Sequence, residues 1–190
     1  MRRLGTAVAL LAAFASCWTL PSGAAASDRK VTFAPVVGAR LFEEDLDLET
    51  DIAFGARIGM ELSPRWGMLF DFVASHPVRT SSGREVVIDC MRVLAKVNLV
   101  TGETRPYVVA GIGGGMFLFP DTPNTAEGML TIGLGLERQV GNRLAVFVES
   151  SADMFRSETV IYTPSGGEYL VETRETHILG TACIGLSLEF

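Results

Sequence analysis

The last seven residues of this chain form an amphipathic strand that ends on an aromatic residue. Every second residue would lie on its apolar face, namely Ile184, Leu186, Leu188 and Phe190. Chain termini usually fray, so an apolar strand that runs to the last residue needs a partner that holds it. Pairing of the last strand with the first, which closes a barrel, would supply that partner.

The first 26 residues have the pattern of a cleaved secretory signal peptide. Two arginines follow Met1, an uncharged apolar run of 14 residues extends from Ala7 to Leu20, and three alanines end at Ala26. The run is short for a membrane-spanning helix. The segment from Phe14 to Cys17 also resembles a degenerate lipobox, so lipidation of Cys17 is the alternative at this end. Cleavage after Ala26 would leave one domain, residues 27–190.

The charge balance argues against nucleic acid as a partner. The whole chain has a formal charge of −6, and loss of the two arginines of the signal peptide changes it to −8. Nucleic-acid-binding domains carry basic surfaces instead. The glycine-rich segment at residues 111–115 lacks the lysine and the strand-to-helix context of a phosphate-binding loop. We expect no cofactor and no metal site.

Alternation of apolar and polar residues after residue 30 predicts an all-β protein. We predict eight strands, at residues 31–42, 51–62, 66–75, 85–99, 106–119, 129–138, 143–155 and 175–190. Tight turns near residues 63–65, 101–105 and 139–142 alternate with longer loops at 43–50, 76–84, 120–128 and 156–174. This alternation is typical of a transmembrane barrel. The predicted fold is an eight-stranded antiparallel transmembrane β-barrel with up-and-down topology.

The composition of the two strand faces indicates which one lines the barrel. The sixth strand alternates two sets of residues, Leu130, Ile132, Leu134 and Leu136 on one face and Thr131, Gly133, Gly135 and Glu137 on the other. A water-soluble barrel would turn the apolar face inward, and a membrane barrel would turn it outward. Glycine weakens a solvated strand but makes room inside a narrow barrel. Because glycines share the charged face in most strands, we predict that this face lines the lumen.

Two segments carry a resemblance to a known family. Arg105-Pro-Tyr107-Val-Val-Ala-Gly-Ile-Gly113 enters the fifth strand, and Gly133-Leu-Gly-Leu-Glu-Arg138 begins the next hairpin. In these patterns the chain resembles the small OmpA-like and opacity-type outer-membrane β-barrels over its whole mature length. The resemblance implies a bacterial outer-membrane location, with lipid and lipopolysaccharide around the barrel. No peptidoglycan-binding domain follows the predicted barrel, in contrast to full-length OmpA.

The terminal strand also resembles the signal that such barrels present to the barrel assembly machinery. We therefore expect Ile184, Leu186, Leu188 and Phe190 to act in assembly. Trp66 and Tyr107 follow predicted periplasmic turns, and Phe190 ends on that rim. Aromatic residues at such positions are typical of an interfacial girdle.

Eight charged residues are predicted to point into the lumen. They are Arg40, Arg57, Glu61, Asp71, Arg92, Lys96, Glu137 and Glu149. Equal numbers of both signs favour a network of ion pairs, because an unpaired buried charge is costly. A barrel of this size has an interior just wide enough for side chains, which favours a plug over a pore. We expect Arg92, Lys96, Glu61 and Glu137 to form the centre of this network.

Other chemically active residues give weaker indications. His76 lies near Asp71 and Ser75 in sequence, but strand alternation points it to the opposite face, and no nucleophile motif is present. The segment at residues 43–51 contains six acidic residues, which indicates a solvated loop or a weak divalent-cation site beside lipopolysaccharide. Cys90 and Cys183 fall on strands across the barrel, too far apart for a disulfide.

The sequence therefore favours a non-enzymatic outer-membrane barrel. Its role would be in envelope integrity or in surface interaction through its extracellular loops. A small channel is the main alternative, and a lipid-acting enzyme is a third. No loop motif identifies an extracellular partner, and the fold alone does not define a function.

Overall fold

The structure is a computed structural model that describes residues 30–120, 124–160 and 172–190. The predicted signal peptide and Cys17 lie outside the described residues. Eight strands follow one another along the chain: β1 Val31–Phe42, β2 Asp51–Glu61, β3 Trp66–Ser75, β4 Val87–Asn98, β5 Thr104–Leu118, β6 Thr125–Gln139, β7 Leu144–Val160 and β8 Glu172–Glu189. A single turn of 3₁₀ helix, Glu44–Leu46, lies between β1 and β2.

The strands form one closed antiparallel barrel in chain order, which confirms the predicted fold. Each strand pairs with its neighbour in sequence, and β8 pairs with β1. The turns β2–β3, β4–β5 and β6–β7 lie on one rim with residues 30 and 190, and we call this the short-turn rim. The other connections lie on the opposite rim, the long-loop rim. In the described part of the chain, no helix has the length and apolarity to cross a membrane.

Contacts at the short-turn rim hold the closing pair of strands together. The backbone N–H of Phe190 donates to the carbonyl of Val31 at 2.9 Å. Beside it, Lys30 Nζ lies 2.9 Å from Glu189 Oε1. The hydrogen bond from Lys30 to Glu189 raises the pKa of the ammonium group above its ordinary value. The last strand is thus paired to its final residues, as the terminal pattern predicted.

The outer surface of the barrel is apolar and the inner surface is polar or glycine-rich. Every strand contributes large apolar side chains that are exposed on the outer surface. They include Phe33, Phe54, Phe72, Met91, Ile112, Leu134, Val148 and Ile184, one from each strand. The inward positions include buried arginines and carboxylates. β5 keeps a single alternation across its glycines, with Tyr107, Val109 and Phe117 buried. One face of β5 is therefore inward along the whole strand, including its glycine-rich part.

Three strands extend further toward the long-loop rim than the sequence indicated. β6 begins at Thr125, β7 continues to Val160 and β8 begins at Glu172. The predicted loop at residues 156–174 is therefore partly a hairpin, paired up to Val160 and Glu172. The extension is polar on both faces, for example at the pair Ser157 and Glu175, so it lacks the alternation on which the prediction depended.

Candidate functional site: a layered interior

Arg57 lies at the centre of the barrel and joins two carboxylates from different walls. Its Nε and Nη2 donate to the two oxygens of Asp71 on β3, both at 2.7 Å. Its Nη1 and Nη2 donate to Glu149 on β7 at 2.8 Å and 2.7 Å. The residue is only 5% exposed. Four charge-assisted bonds satisfy the planar guanidinium on two edges, an arrangement that lysine could not reproduce.

Arg92 extends this network toward the long-loop rim. Its Nη2 donates to Asp71 at 3.1 Å, and its Nη1 lies 3.1 Å from Asp153 Oδ2. Asp153 also accepts a hydrogen bond from Thr131 Oγ1 at 2.6 Å. We call Arg57, Asp71, Arg92, Glu149 and Asp153 the central ion layer.

A second ionic group lies nearer the short-turn rim. Lys96 Nζ lies 2.8 Å from Glu137, and Arg105 contacts Glu137 at 2.7 Å and Glu61 at 2.9 Å. We call these four residues the rim ion layer. It borders a cavity of about 50 Å³. The predicted centre of the network was therefore wrong, because Arg92 belongs to the central ion layer and the other three predicted members belong here.

One layer of apolar side chains separates the two ionic layers. A second apolar layer closes the barrel between the central ion layer and the long-loop rim. The inner apolar layer consists of Ala34, Val36, Leu69, Leu94, Tyr107, Val109 and Phe147. The mouth apolar layer consists of Val86, Ile88, Cys90, Phe117, Met129, Phe155 and Leu179. The order is visible on β4, whose inward residues in succession from the short-turn rim are Asn98, Lys96, Leu94, Arg92, Cys90 and Ile88. Charged and apolar layers thus alternate along the barrel axis.

The inner apolar layer contacts both ionic layers through its aromatic rings. Lys96 Nζ lies 4.5 Å from the centre of the Tyr107 ring, and the Arg57 guanidinium lies 4.8 Å from that of Phe147. The Tyr107 hydroxyl donates to Glu149 at 2.9 Å. Because cations attract aromatic faces, these contacts stabilise the boundary between charged and apolar layers.

Tyr107 was predicted to belong to an interfacial girdle, and this prediction was wrong. Its side chain points inward and is 1% exposed. Its ring covers Gly135, the directly opposite residue on β6, and the Phe147 ring covers Gly185 on β8 in the same way. A Cβ at either glycine would collide with the ring. Glycine is therefore required at both positions, because the aromatic ring lies too close to the backbone for any side chain to fit. Trp66 and Phe190 are exposed at the short-turn rim.

We expect Gly135→Val to displace Tyr107 and to break its hydrogen bond to Glu149. Overpacking of this kind costs about 1–3 kcal/mol of unfolding free energy. Urea titration of the refolded barrel in detergent, followed by tryptophan fluorescence, would measure the loss. Gly128→Val is the matched control, because a Cβ there meets no atom within 4 Å. Equal losses for both variants would contradict the role of the ring.

Arg40 is inward as predicted, but the structure does not bring it into either ionic layer. It is 0% exposed, and its Nη1 donates to Ser75 Oγ at 3.3 Å. Its Nε and Nη2 have no hydrogen-bond partner among the described residues. All eight predicted charged residues thus point inward, and seven of them belong to the two ionic layers, which Asp153 and Arg105 complete.

Sequence reasoning missed several members of the site. Arg105 was assigned to a turn, although β5 begins at Thr104 and carries it into the barrel. Asp153 lies four residues beyond Glu149 on the same face of β7, so its inward position was visible in the alternation. Thr131 and Ser151 are uncharged, and only the contacts that they make identify them.

The other candidate residues form no common site with these layers. His76 is exposed and lies 3.2 Å from Glu85, whereas Asp71 and Ser75 are buried. The acidic segment is held by Asp47, which accepts hydrogen bonds from the backbone and side chain of Ser81. Among the described residues, no group of three potential ligands could hold a metal ion. Cys90 and Cys183 are free thiols.

Comparisons with known proteins agree with this architecture. No protein-family model matches the chain, and no curated protein matches it. Similar solved structures include Neisserial surface protein A, at 11% identity over 86% of this chain and 98% of that one, with a TM-score of 0.62. The N-terminal β-barrel domain of Pseudomonas aeruginosa OprF is 18% identical over 84% of this chain and 97% of that one, with a TM-score of 0.53.

A third similar structure is Ail, the attachment invasion locus protein of Yersinia pestis. It is 15% identical over 85% of this chain and 99% of that one, with a TM-score of 0.54. Identities this low establish the fold alone. The fold of this chain is that of the small eight-stranded outer-membrane β-barrels, the OmpA-like and opacity-type group that its sequence resembles.

Proposed function

We propose that this protein is a sealed bacterial outer-membrane barrel that acts through its outer surface and its long loops. The inverted faces support a membrane location, because an exposed apolar band around a charged interior suits lipid and not water. In that orientation the short-turn rim faces the periplasm and the long-loop rim faces the outside of the cell. Outer-membrane lipid and lipopolysaccharide would then surround the band, and the barrel assembly machinery would insert it.

The layered interior is the observation that supports a sealed barrel over a channel. An ion that crosses the barrel would have to pass the inner apolar layer and the mouth apolar layer, which together contain fourteen buried side chains. Between them, the central ion layer pairs both of its arginines with carboxylates. With the interior sealed, the protein would act through its outer surface and long loops, either in envelope integrity or by contact with an extracellular partner.

We expect the purified wild-type barrel to give no large, steady conductance in planar lipid bilayers. Tyr107→Ala removes the largest side chain of the inner apolar layer and should produce brief openings. Leu134→Ala, on the exposed outer face of β6, is the control and should remain silent. A large and steady wild-type current would refute the sealed interior and support the channel.

A further inference from the structure

Three side chains meet at the long-loop rim, outside both ionic layers. Ser157 lies on β7, His177 lies on β8 and Glu43 follows the end of β1. Ser157 Oγ lies 2.9 Å from His177 Nε2, within hydrogen-bond distance. The other ring nitrogen, Nδ1, lies 3.9 Å from Glu43 Oε2. His177 is 6% exposed, whereas Ser157 is only partly buried and Glu43 reaches the solvent.

The barrel topology brings these residues together. β8 is flanked by β7 on one side and by β1 on the other, so an inward residue of β8 has neighbours from both. His177 is opposite Phe155, which places Ser157 two residues further on the same face of β7. On the other side Phe42 is opposite Leu179, so the next residue, Glu43, is level with Ile178 and its side chain extends to the neighbouring His177. Because these residues are far apart in sequence, their proximity was not visible before the fold was known.

We propose that Ser157, His177 and Glu43 form a nucleophile–base–acid relay for acyl transfer from carboxylic esters. The two ring nitrogens of His177 face the two groups that such a relay requires, with Nε2 toward the hydroxyl and Nδ1 toward the carboxylate. With its proton on Nδ1, the imidazole accepts the hydrogen bond of Ser157. The contact with Glu43 is longer than a hydrogen bond, and distances of this kind commonly shorten when substrate binds.

Each step of the reaction conserves atoms and charge. As Ser157 Oγ bonds to the ester carbonyl carbon, its proton passes to His177 Nε2 and the carbonyl π electrons move to the oxygen. When the carbonyl reforms, the bond to the alcohol oxygen breaks and the alcohol takes the proton from Nε2. A water molecule then repeats both steps on the acyl-enzyme and releases the carboxylic acid. Glu43 would stabilise the imidazolium that forms in each half-reaction.

The neighbouring surface indicates an ester with an apolar acyl chain. The His177 ring lies 5.4 Å from the ring of Phe155, a member of the mouth apolar layer. Partly buried side chains continue that layer toward the solvent, namely Phe42, Leu46, Leu48 and Phe119. An acyl chain could lie against them while its carbonyl carbon reaches Ser157. Such an ester could come from a membrane lipid or from a water-soluble compound, and the chemistry would be the same.

The test uses the full mature barrel in detergent micelles and a fluorophosphonate, which labels activated serines. We expect labelling at Ser157, located by mass spectrometry, and faster hydrolysis of p-nitrophenyl dodecanoate than of the acetate. Ser157→Ala should abolish both signals. His177→Gln should lower them by about 100-fold or more, the usual contribution of a general base. Glu43→Gln should lower them by a smaller factor.

Two control variants separate the relay from its surroundings. Glu175→Gln removes a carboxylate that lies 4.0 Å from His177 Nε2, on the side of the hydroxyl, and should leave the rates unchanged. Ser63→Ala removes a hydroxyl of the short-turn rim, which accepts a hydrogen bond from the backbone N–H of Trp66 at the end of the barrel opposite the relay. It should also leave them unchanged. A heat-induced shift on a denaturing gel would verify that each variant is folded.

Other results would show whether the relay exists and whether its ester is a membrane lipid or a soluble compound. Equal labelling and hydrolysis in wild type and Ser157→Ala would overturn it, and so would equal rates in Glu43→Gln and Glu175→Gln. Release of fatty acid from phosphatidylethanolamine vesicles would identify a lipid as the source. Hydrolysis of the p-nitrophenyl ester alone would identify a soluble ester. These readouts do not depend on bilayer conductance, so the relay and the sealed interior can fail separately.

Discussion

Arg57→Met is expected to lower the free energy of unfolding by about 3–5 kcal/mol, the usual cost of breaking a buried ion pair by removing one partner. The substitution keeps the unbranched shape of the side chain but removes four hydrogen bonds to Asp71 and Glu149. Asp71 keeps its contact with Arg92, whereas Glu149 keeps, among the described residues, only the hydrogen bond from the Tyr107 hydroxyl. Urea unfolding of the barrel in lipid vesicles, followed by tryptophan fluorescence, would measure the loss.

Arg105→Met is the matched control in the rim ion layer. Arg105 also contacts two carboxylates, Glu61 and Glu137, but its side chain is 19% exposed and borders a cavity. Water can therefore solvate the carboxylates that remain, and we expect a loss of about 1 kcal/mol or less. Similar losses for both variants would show that burial does not distinguish the two layers.

The direction of each charged side chain could be predicted because strand alternation leaves only two choices. All eight predicted residues point inward, from Arg40 on β1 to Glu149 on β7. The glycine argument is also supported, since Gly135 and Gly185 lie beneath aromatic rings on the inner face. A period of two residues fixes the face of a whole strand once one position is known.

The pairing across the lumen could not be predicted in the same way. Arg92 and Lys96 share one face of β4, but Leu94 lies between them and places an apolar layer there. Whether Arg92 pairs with Asp153 or with Glu137 depends on how far neighbouring strands are shifted along the barrel axis. The sequence of a single strand does not specify this shift. The relay of Ser157, His177 and Glu43 was missed for the same reason, because it joins residues of β7, β8 and the segment that follows β1.

We expect the loss of Phe190 to reduce assembly more than it reduces the stability of the folded barrel. Its side chain is 73% exposed, and its backbone N–H makes one hydrogen bond to Val31. Loss of one such bond costs about 1 kcal/mol. Recognition by the barrel assembly machinery, by contrast, would depend on the terminal residue itself. The two contributions can therefore be measured separately.

Deletion of Phe190 is expected to reduce strongly the folded barrel recovered from outer-membrane fractions, while the refolded variant in detergent loses only about 1 kcal/mol of unfolding free energy. The folded form would be counted by its heat-induced shift on a denaturing gel. Phe72→Ala is the matched control, because Phe72 is also an outward phenylalanine, 44% exposed, but lies within β3. It should assemble at the wild-type level. If the deletion assembles as well as Phe72→Ala, the aromatic terminus is not a recognition signal. If it assembles poorly and also fails to refold in detergent, Phe190 acts by closing the barrel. The hydrogen bond from Phe190 to Val31, at the end of the β8–β1 pair, would then be necessary for folding.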